Sequence, residues 1–247
     1  MKWVLLGKIL KWEVFVLGKK YLMLALILGL LSTTAFGFAL KNPTKPELKS
    51  SKLVSEDSER KIYEEIGLSG KLNYEIFKTA LIGYNKIDGR KKELLTIIDY
   101  SKPSTEERFF VIDMNKKELL VHSHVSHGKN SGGNIATSFS NKMSSNKSSL
   151  GFFLTENTYM GGNGYSLVLN GLEKGINDKA KDRYIVIHGA DYANPKIAKS
   201  QGRLGRSLGC PALPRDISKK AIDMIKNGSV LFVYGNDANY LERSNYV

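Results

Sequence analysis

The sequence predicts a mainly β protein, a β-sandwich or barrel with a small N-terminal helical layer and one late helix. One indication is a series of short β-branched or aromatic runs separated by turn residues, which is typical of closed or two-layered β folds. Another is that apolar residues recur at helical spacing only in two early segments and one late segment. The length of 247 residues allows one core of ordinary size with appendages rather than two large domains.

Residues 1–40 have the pattern of a targeting segment. Two lysines precede an apolar run at residues 21–31, and small residues suited to cleavage follow at Ala35 and Ala39. This order is that of a secretory signal peptide, which predicts an exported protein of the periplasm or cell envelope. If it is not cleaved, the uncharged stretch 21–40 is long enough to anchor the protein in a membrane.

The composition then divides the rest of the chain into four parts. Residues 41–60 are rich in Lys, Pro, Ser and Glu and predict a linker, and helical periodicity predicts a helical layer over residues 61–90. Residues 91–236 would form the main domain, and residues 237–247 a C-terminal tail. The predicted strands cover residues 94–99, 109–113, 118–125, 150–155, 166–169, 184–187 and 230–234.

The other segments of the main domain have simple patterns. Residues 128–149 are rich in Gly, Asn and Ser without helical periodicity, so we expect them to cross the surface. Residues 161–164 are glycine-rich but lack the Lys and Ser/Thr of a phosphate-binding loop, which favours a hairpin turn. The late helix is predicted at residues 218–226, where Asn227 and Gly228 favour a helix end.

The charge and the cysteine count narrow the classes of function. The net charge of +13 would suit nucleic acid, an anionic membrane surface or an anionic cell wall. No zinc-finger, homeodomain or RRM-type signature accompanies the charge, and we expect no nucleic-acid partner. The basic residues are scattered, as on an ordinary solvated surface. One cysteine excludes an intrachain disulfide and leaves a thiol whose role needs an explanation.

The clearest catalytic pattern lies in residues 185–213. A β-branched run leads His188 into a turn with Gly189, and a loop rich in Gly, Arg and Ser leads to Cys210. Gly209 before the cysteine and a proline after it favour a shaped turn over a packed position within a strand or helix. The alternatives are a buried, inert thiol and a structural histidine.

These residue types fit a cysteine enzyme. An imidazole near neutrality takes the thiol proton and later returns it to a leaving amine. The amides of Gly209 and Cys210 could face a developing oxyanion. Arg203 and Arg206 could lower the thiol pKa or hold a substrate carboxylate, or they could simply be solvated.

Two further histidines raise the question of a metal. His122 and His124 alternate on a predicted strand and share a face, a spacing that can bind zinc, with His188 as a third ligand. No carboxylate motif joins them, so we favour ordinary strand histidines and expect no metal ion or other cofactor.

The stretch HGA followed by GRLGRSLGCPAL resembles the murein L,D-transpeptidase catalytic (YkuD-like) family, in its branch with an SLGCPAL-type motif. The resemblance continues upstream through FVIDMNKKELLVHSHVSHGKNSGG, FSNKMSSNKSSLGFFLT and GGNGYSLVLNGLEKGIND, and covers about residues 94–234. It implies an L,D-transpeptidase-like fold with Cys210 as nucleophile and His188 as base. Ser207 and Gly209 then belong to the active-site loop. The candidate substrate-binding residues are Arg203, Arg206, His127 and Gly189.

The resemblance also implies a reaction on peptidoglycan stem peptides. The thiolate attacks the carbonyl that links the third residue of a tetrapeptide to its terminal D-Ala, D-Ala leaves, and a thioester remains. A neighbouring stem amine then gives a 3–3 cross-link, whereas water would make the protein an L,D-carboxypeptidase. Where this chain has Leu208, the family usually has histidine, for which His127 could substitute. The departure leaves open a catalytically inactive wall-binding protein, and the histidines leave open a metal hydrolase.

Overall fold

The computed structural model describes residues 56–247. The targeting segment predicted at residues 1–40 and most of the linker predicted at residues 41–60 lie outside the described residues. Within the described part of the chain, no helix combines the length and the apolar character that crossing a membrane requires.

The described residues form five helices, eight strands and one 3₁₀ turn at Asp191–Ala193. The helices are α1 (Glu56–Glu65), α2 (Tyr74–Lys86), α3 (Pro195–Gln201), α4 (Arg215–Ile225) and α5 (Ala238–Arg243). The strands are β1 (Leu94–Asp99), β2 (Phe109–Asp113), β3 (Glu118–Ser123), β4 (Gly151–Gly161), β5 (Gly164–Gly171), β6 (Val186–Gly189), β7 (Ala212–Leu213) and β8 (Val230–Tyr234).

The eight strands form one sheet in the order β3-β2-β1-β8-β4-β5-β6-β7. The β1–β8 and β6–β7 pairs are parallel and the others are antiparallel. Just after β3, the N–H of Ser126 donates to the carbonyl of Ala212 in β7 at 2.8 Å. The two edges of the sheet therefore meet, and the sheet is a nearly closed barrel. The predicted mainly β class is confirmed.

The core lies between the sheet and the N-terminal helices. The rings of Phe152 in β4 and Phe232 in β8 stack with centroids 4.4 Å apart. Helix α2 approaches this pair so closely that a Cβ at Gly83 would lie 2.1 Å from Phe152 Cζ. The side chain of Asn73 caps α2 by accepting the N–H groups of Glu75 and Ile76. The predicted N-terminal helical layer thus packs on the barrel.

Several predicted elements have different bounds in the structure. Strands β1, β2 and β8 match their predicted runs, whereas β4 continues to Gly161 through a register shift between Thr155 and Thr158. Gly161 pairs with Gly164 at the β4–β5 turn, so the glycine-rich stretch is a hairpin turn as predicted. The two-residue strand β7 is too short for a pattern in the sequence.

The prediction of one late helix is wrong, because α3 and α5 accompany α4. Helix α3 begins at Pro195 after Asn194, whose side chain accepts the N–H of Lys196 at 2.9 Å. A cap residue followed by proline is a start signal that the sequence carries. Helix α5 lies in the predicted tail, where burial of Tyr240 draws the segment into the core.

Candidate active site

The closure of the barrel puts Cys210 and His188 on neighbouring segments. In the parallel β6–β7 pair, His188 lies opposite Ala212, two residues after the cysteine. The N–H of His188 donates to the carbonyl of Pro211 at 3.4 Å. Two residues distant in the sequence are thus held side by side through the backbone, as their residue types predict.

The Cys210 thiol is buried and uncharged at rest. The residue is 8% exposed, and its Sγ donates to the carbonyl oxygen of Tyr184 at 3.4 Å. Burial raises the pKa of the thiol, while the N–H of Val186 and the charge of Arg183 oppose that increase. An ionised thiol therefore needs stabilisation from groups beside it.

His188 has the protonation state of a base. Its Nδ1 lies 3.2 Å from the carbonyl oxygen of Gly189, which only accepts, so Nδ1 carries the proton and Nε2 is left with a lone pair. Burial also lowers the pKa of the imidazole. Among the described residues no hydrogen bond joins this imidazole to the Cys210 thiol.

A groove opens on the His188 side of the site. It has a volume of about 230 Å³, below that of typical small-molecule pockets, so it suits a short segment of a ligand. Its walls are the β4–β5 turn, the segment from His188 to Tyr192, and Arg215. The Tyr192 ring lies edge-on to His188 with centroids 6.5 Å apart. Burial and, second to it, the ionised form of Cys210 raise the pKa of Tyr192 to about 12.

The loop before the cysteine is shaped by Ser207 and Gly209. The Ser207 hydroxyl donates to the carbonyl of Cys210 at 2.6 Å and accepts the N–H of Gly209 at 3.0 Å. Gly209 has φ +129°, and a Cβ there would lie 3.0 Å from the carbonyl oxygen of Lys147. In the structure the Gly209 amide donates to the Ser207 hydroxyl. Its role in binding an oxyanion stays a prediction. Leu208 is 64% exposed.

The arginine that acts on the thiol is not one of the two predicted from the sequence. Arg203 donates to the carbonyl of Leu204 at 3.0 Å, and Arg206 donates to the carbonyl of Gly132 at 2.8 Å. The cation that acts on the thiol pKa is instead Arg183, which precedes β6 by three residues. Its place just before the β-branched run that carries His188 is the signal that could have identified it.

His127 lies beneath the active-site loop and is 1% exposed. Its carbonyl accepts the N–H of Ser207 at 3.0 Å, and its Nδ1 accepts from Nη2 of the buried Arg108 at 2.8 Å. Nε2 therefore carries the proton, and it is buried without a hydrogen-bond partner among residues 56–247. Burial and the nearby Arg108 lower the pKa to about 4. In this conformation His127 supports the loop and makes no surface for a substrate.

The other predicted residues have local roles. A Cβ at Gly189 would lie 2.4 Å from the Ser218 hydroxyl, so glycine is needed for α4 to pack on β6. His122 stacks on Phe110 with centroids 4.5 Å apart, and His124 Nε2 lies 3.1 Å from the carbonyl oxygen of Thr105. Within the described range, no group of three or more His, Cys, Asp or Glu side chains is placed to hold a metal ion.

The described residues thus form a nearly closed β barrel with a cysteine and a histidine beside each other at its closure. Residues 68–234 match the family model of the L,D-transpeptidase catalytic domain. The match covers more than half of the chain, and the protein belongs to the L,D-transpeptidase catalytic domain family. The family resemblance predicted from the sequence is confirmed.

The solved structures that match the chain include L,D-transpeptidases from several organisms. The one from Mycobacterium smegmatis has 18% identity and a TM-score of 0.36, with 58% of this chain and 59% of that chain covered. The one from Stackebrandtia nassauensis has 17% identity and a TM-score of 0.36, with 73% and 78% covered. The helical cell shape determining protein Pgp2 from Campylobacter jejuni has 14% identity and a TM-score of 0.40, with 65% and 54% covered. This chain thus spans about three-fifths of the M. smegmatis protein. None of the curated proteins compared with the chain matches it significantly.

Proposed function

We propose that the protein is an exported peptidoglycan L,D-transpeptidase with Cys210 as nucleophile and His188 as general base. The observation that carries the proposal is the place of the one cysteine, two residues before β7, next to a neutral buried histidine in β6 that lines a groove. A neutral imidazole with a free Nε2 lone pair is the form that accepts a thiol proton.

The reaction begins with transfer of the Sγ proton of Cys210 to Nε2 of His188. Because Sγ donates to the carbonyl of Tyr184 at rest, the thiol must first rotate toward the imidazole. The thiolate then attacks the carbonyl that joins the third residue of a stem tetrapeptide to D-Ala. The C–N bond breaks, His188 gives its proton to the amine of D-Ala, and a thioester to Cys210 remains.

A second acceptor completes the reaction. The side-chain amine of a neighbouring stem attacks the thioester, a 3–3 cross-link forms, and the thiol is regenerated. Water in place of the amine would give L,D-carboxypeptidase activity on the same site. The net charge of +13 favours adherence to an anionic wall, which agrees with an exported location.

A wall-binding protein without turnover is the second candidate. Its support is the burial of the Cys210 thiol, whose pKa is raised and whose hydrogen bond goes to a backbone carbonyl. The exposed side chain of Leu208 also has no polar atom to offer a substrate.

The test is the mass of the intact protein after incubation with a disaccharide tetrapeptide or a carbapenem, followed by analysis of the muropeptide products. We expect an adduct on the native protein, none on Cys210→Ala, and slow formation on His188→Gln. His124→Gln is the matched control, since His124 lies just beyond β3 and should react as the native protein does. Turnover that survives in Cys210→Ala, or wall binding without any adduct, would contradict the proposal.

A further inference from the structure

Arg183 carries a positive charge that no carboxylate in the described part of the chain pairs with. Its Nη1 donates to the carbonyl of Ser140 at 2.6 Å and to the hydroxyl of Ser149 at 2.5 Å. Its Nη2 donates to the hydroxyl of Ser145 at 3.2 Å and to the carbonyl of Lys147 at 2.6 Å. All four acceptors are neutral, and within the described residues Arg183 makes no salt bridge. A half-buried guanidinium held this way has its donors satisfied but its charge unpaired.

The guanidinium lies next to the loop that leads to Cys210. A Cβ placed on Gly209 would lie 3.5 Å from Arg183 Nη2, so the charge borders the residue before Cys210. Ser148 belongs to the same serine-rich loop, and its hydroxyl donates to the carbonyl of Gly209 at 3.0 Å. The loop at residues 140–149, which its composition predicts only as a polar crossing of the surface, therefore joins the arginine to the cysteine.

We propose that Arg183 is the counter-ion of the Cys210 thiolate and that the loop at residues 140–149 positions it. The inference rests on the proposed function, in which that thiolate is the nucleophile. The short segment from Arg183 to His188 then supplies both the group that removes the thiol proton and the group that stabilises the resulting charge. Arg183 contacts the loop and not the substrate. It acts on the reaction through the sulfur of Cys210, so we class it as a positioning residue and not as a catalytic one.

Burial disfavours the charged form of both Cys210 and Arg183, and the charge of each group favours the charged form of the other. Burial raises the pKa of the Cys210 thiol and lowers the pKa of Arg183, and the charge of each group opposes the effect of burial on the other. The other titratable groups that act on or border the thiol are the phenols of Tyr100 and Tyr192 and the imidazole of His188. Burial raises the pKa of both phenols and lowers that of the imidazole, so all three are neutral near pH 7. Among these groups Arg183 is thus the fixed charge that acts on the thiol, whereas Arg215 in the groove wall acts on His188 and Tyr192.

The experiment is a titration of the thiol by the ultraviolet absorbance of the thiolate. Because the protein has one cysteine, subtracting the titration of Cys210→Ala leaves the signal of Cys210 alone. Arg183→Gln removes the charge but still donates to the loop, and we expect it to raise the thiol pKa by about 1. The thiolate fraction near neutral pH then falls about tenfold. The acid limb of the kcat pH profile should move upward by the same amount, with KM unchanged.

Two further variants separate charge from loop anchoring. Arg183→Lys keeps the charge and loses most of the four hydrogen bonds, so its melting temperature should fall while its thiol pKa stays near the native value. Arg243→Gln is the matched control, since Arg243 lies on the C-terminal helix α5 and donates to the carbonyl of Gly175. A native thiol pKa in Arg183→Gln overturns the proposal. So does a thiol pKa in Arg183→Lys that rises as far as we expect for Arg183→Gln, and this result remains decisive if the glutamine variant does not fold.

The two proposals fail in different ways. Turnover that survives in Cys210→Ala removes the nucleophile, whatever the titration gives. Loss of turnover in Cys210→Ala together with a native titration in Arg183→Gln removes the counter-ion and leaves the nucleophile.

Discussion

The strands β1, β2 and β8 and the segments around Cys210 belong to one barrel but are stabilised by different forces. In the first region nearly every side chain is buried and apolar, as in Phe109–Asp113 and Val230–Tyr234. In the second region the chain is irregular, and serine and arginine side chains bond to backbone carbonyls and amides. Burial of apolar area builds the first region, whereas directed hydrogen bonds shape the second.

Arg108 illustrates the cost of the second arrangement. The side chain is fully buried, and it donates to the carbonyls of Val125 and Lys102 and to His127. A buried guanidinium without a bonded carboxylate is not a source of stability, and we expect its hydrogen bonds to fix one conformation of this segment. That segment bonds in turn to Ser207. We therefore expect a mutation in the apolar strands, the scaffold, to leave the thiol pKa of the site around Cys210 unchanged.

The largest expected effect is on the scaffold. Phe232→Ala removes one ring of the stack with Phe152 and leaves a cavity in the barrel, which should lower the free energy of unfolding by about 3–5 kcal/mol. Urea denaturation measures this loss. The thiol pKa of the folded fraction should stay native. A loss below about 1 kcal/mol, well under the range for a buried aromatic ring, or a changed thiol pKa would show that the two regions are not separate.

The second effect concerns His127 and pH. Its folded pKa of about 4 lies below the ordinary 6.5, so its contribution to stability is complete above pH 6.5 and is lost as the pH falls toward 4. At about 1.4 kcal/mol per pKa unit, the loss is about 3 kcal/mol. The measurement is urea denaturation between pH 4 and 7.5, pH values chosen to span roughly the two pKa values.

His127→Asn is the comparison variant for that measurement, because its side-chain oxygen still accepts from Arg108. The half-buried imidazole of His122 and the buried imidazole of His188, whose pKa values are also lowered, remain in both proteins, as does Glu173, whose raised pKa gives the opposite slope. The difference between the two pH profiles therefore belongs to His127. Parallel profiles would contradict the buried, unprotonated histidine.

The two regions also differ in how well the sequence predicts them. The bounds of β1, β2 and β8 follow from largely apolar runs in the sequence. These runs are buried because both faces of the sheet are covered there. The Cys210 and His188 pair follows from residue type and turn chemistry.

What escaped prediction in the site depends on contacts distant in the sequence. Arg183 looks like any surface arginine until the loop at residues 140–149 folds over it, and Tyr192 reaches the groove through a short 3₁₀ turn. The barrel closes through isolated bridges, Ser126 with Ala212 and Gly128 with Ser207, which have no local pattern in the sequence. Local periodicity predicts strands but not the pairing of loops.

The third effect is on the loop contacts of the site. Ser148→Ala removes a hydroxyl that accepts the N–H of Gly128 and donates to the carbonyl of Gly209, each at 3.0 Å. Two buried backbone groups lose their partner, so we expect about 1–3 kcal/mol of destabilisation and a reduced kcat. Ser144→Ala, at an exposed position of the same loop, is the control for both measurements. Equal behaviour of the two variants would show that the loop does not support the cysteine.

The smallest effect is on backbone strain at the edge of the site. Tyr184 has φ +54°, in the left-handed region, and its side chain is 79% exposed, while its carbonyl accepts the thiol. Tyr184→Gly removes strain of about 1–2 kcal/mol and costs about 0.5–1 kcal/mol of backbone entropy, so thermal unfolding should show a net gain of up to about 1.5 kcal/mol. Ser144→Gly, with φ 55° away from the cysteine, should gain a similar amount. The turnover of both variants should stay native, because glycine keeps the carbonyl that holds the thiol. A raised KM in Tyr184→Gly alone would instead identify the exposed ring as a contact for the stem peptide.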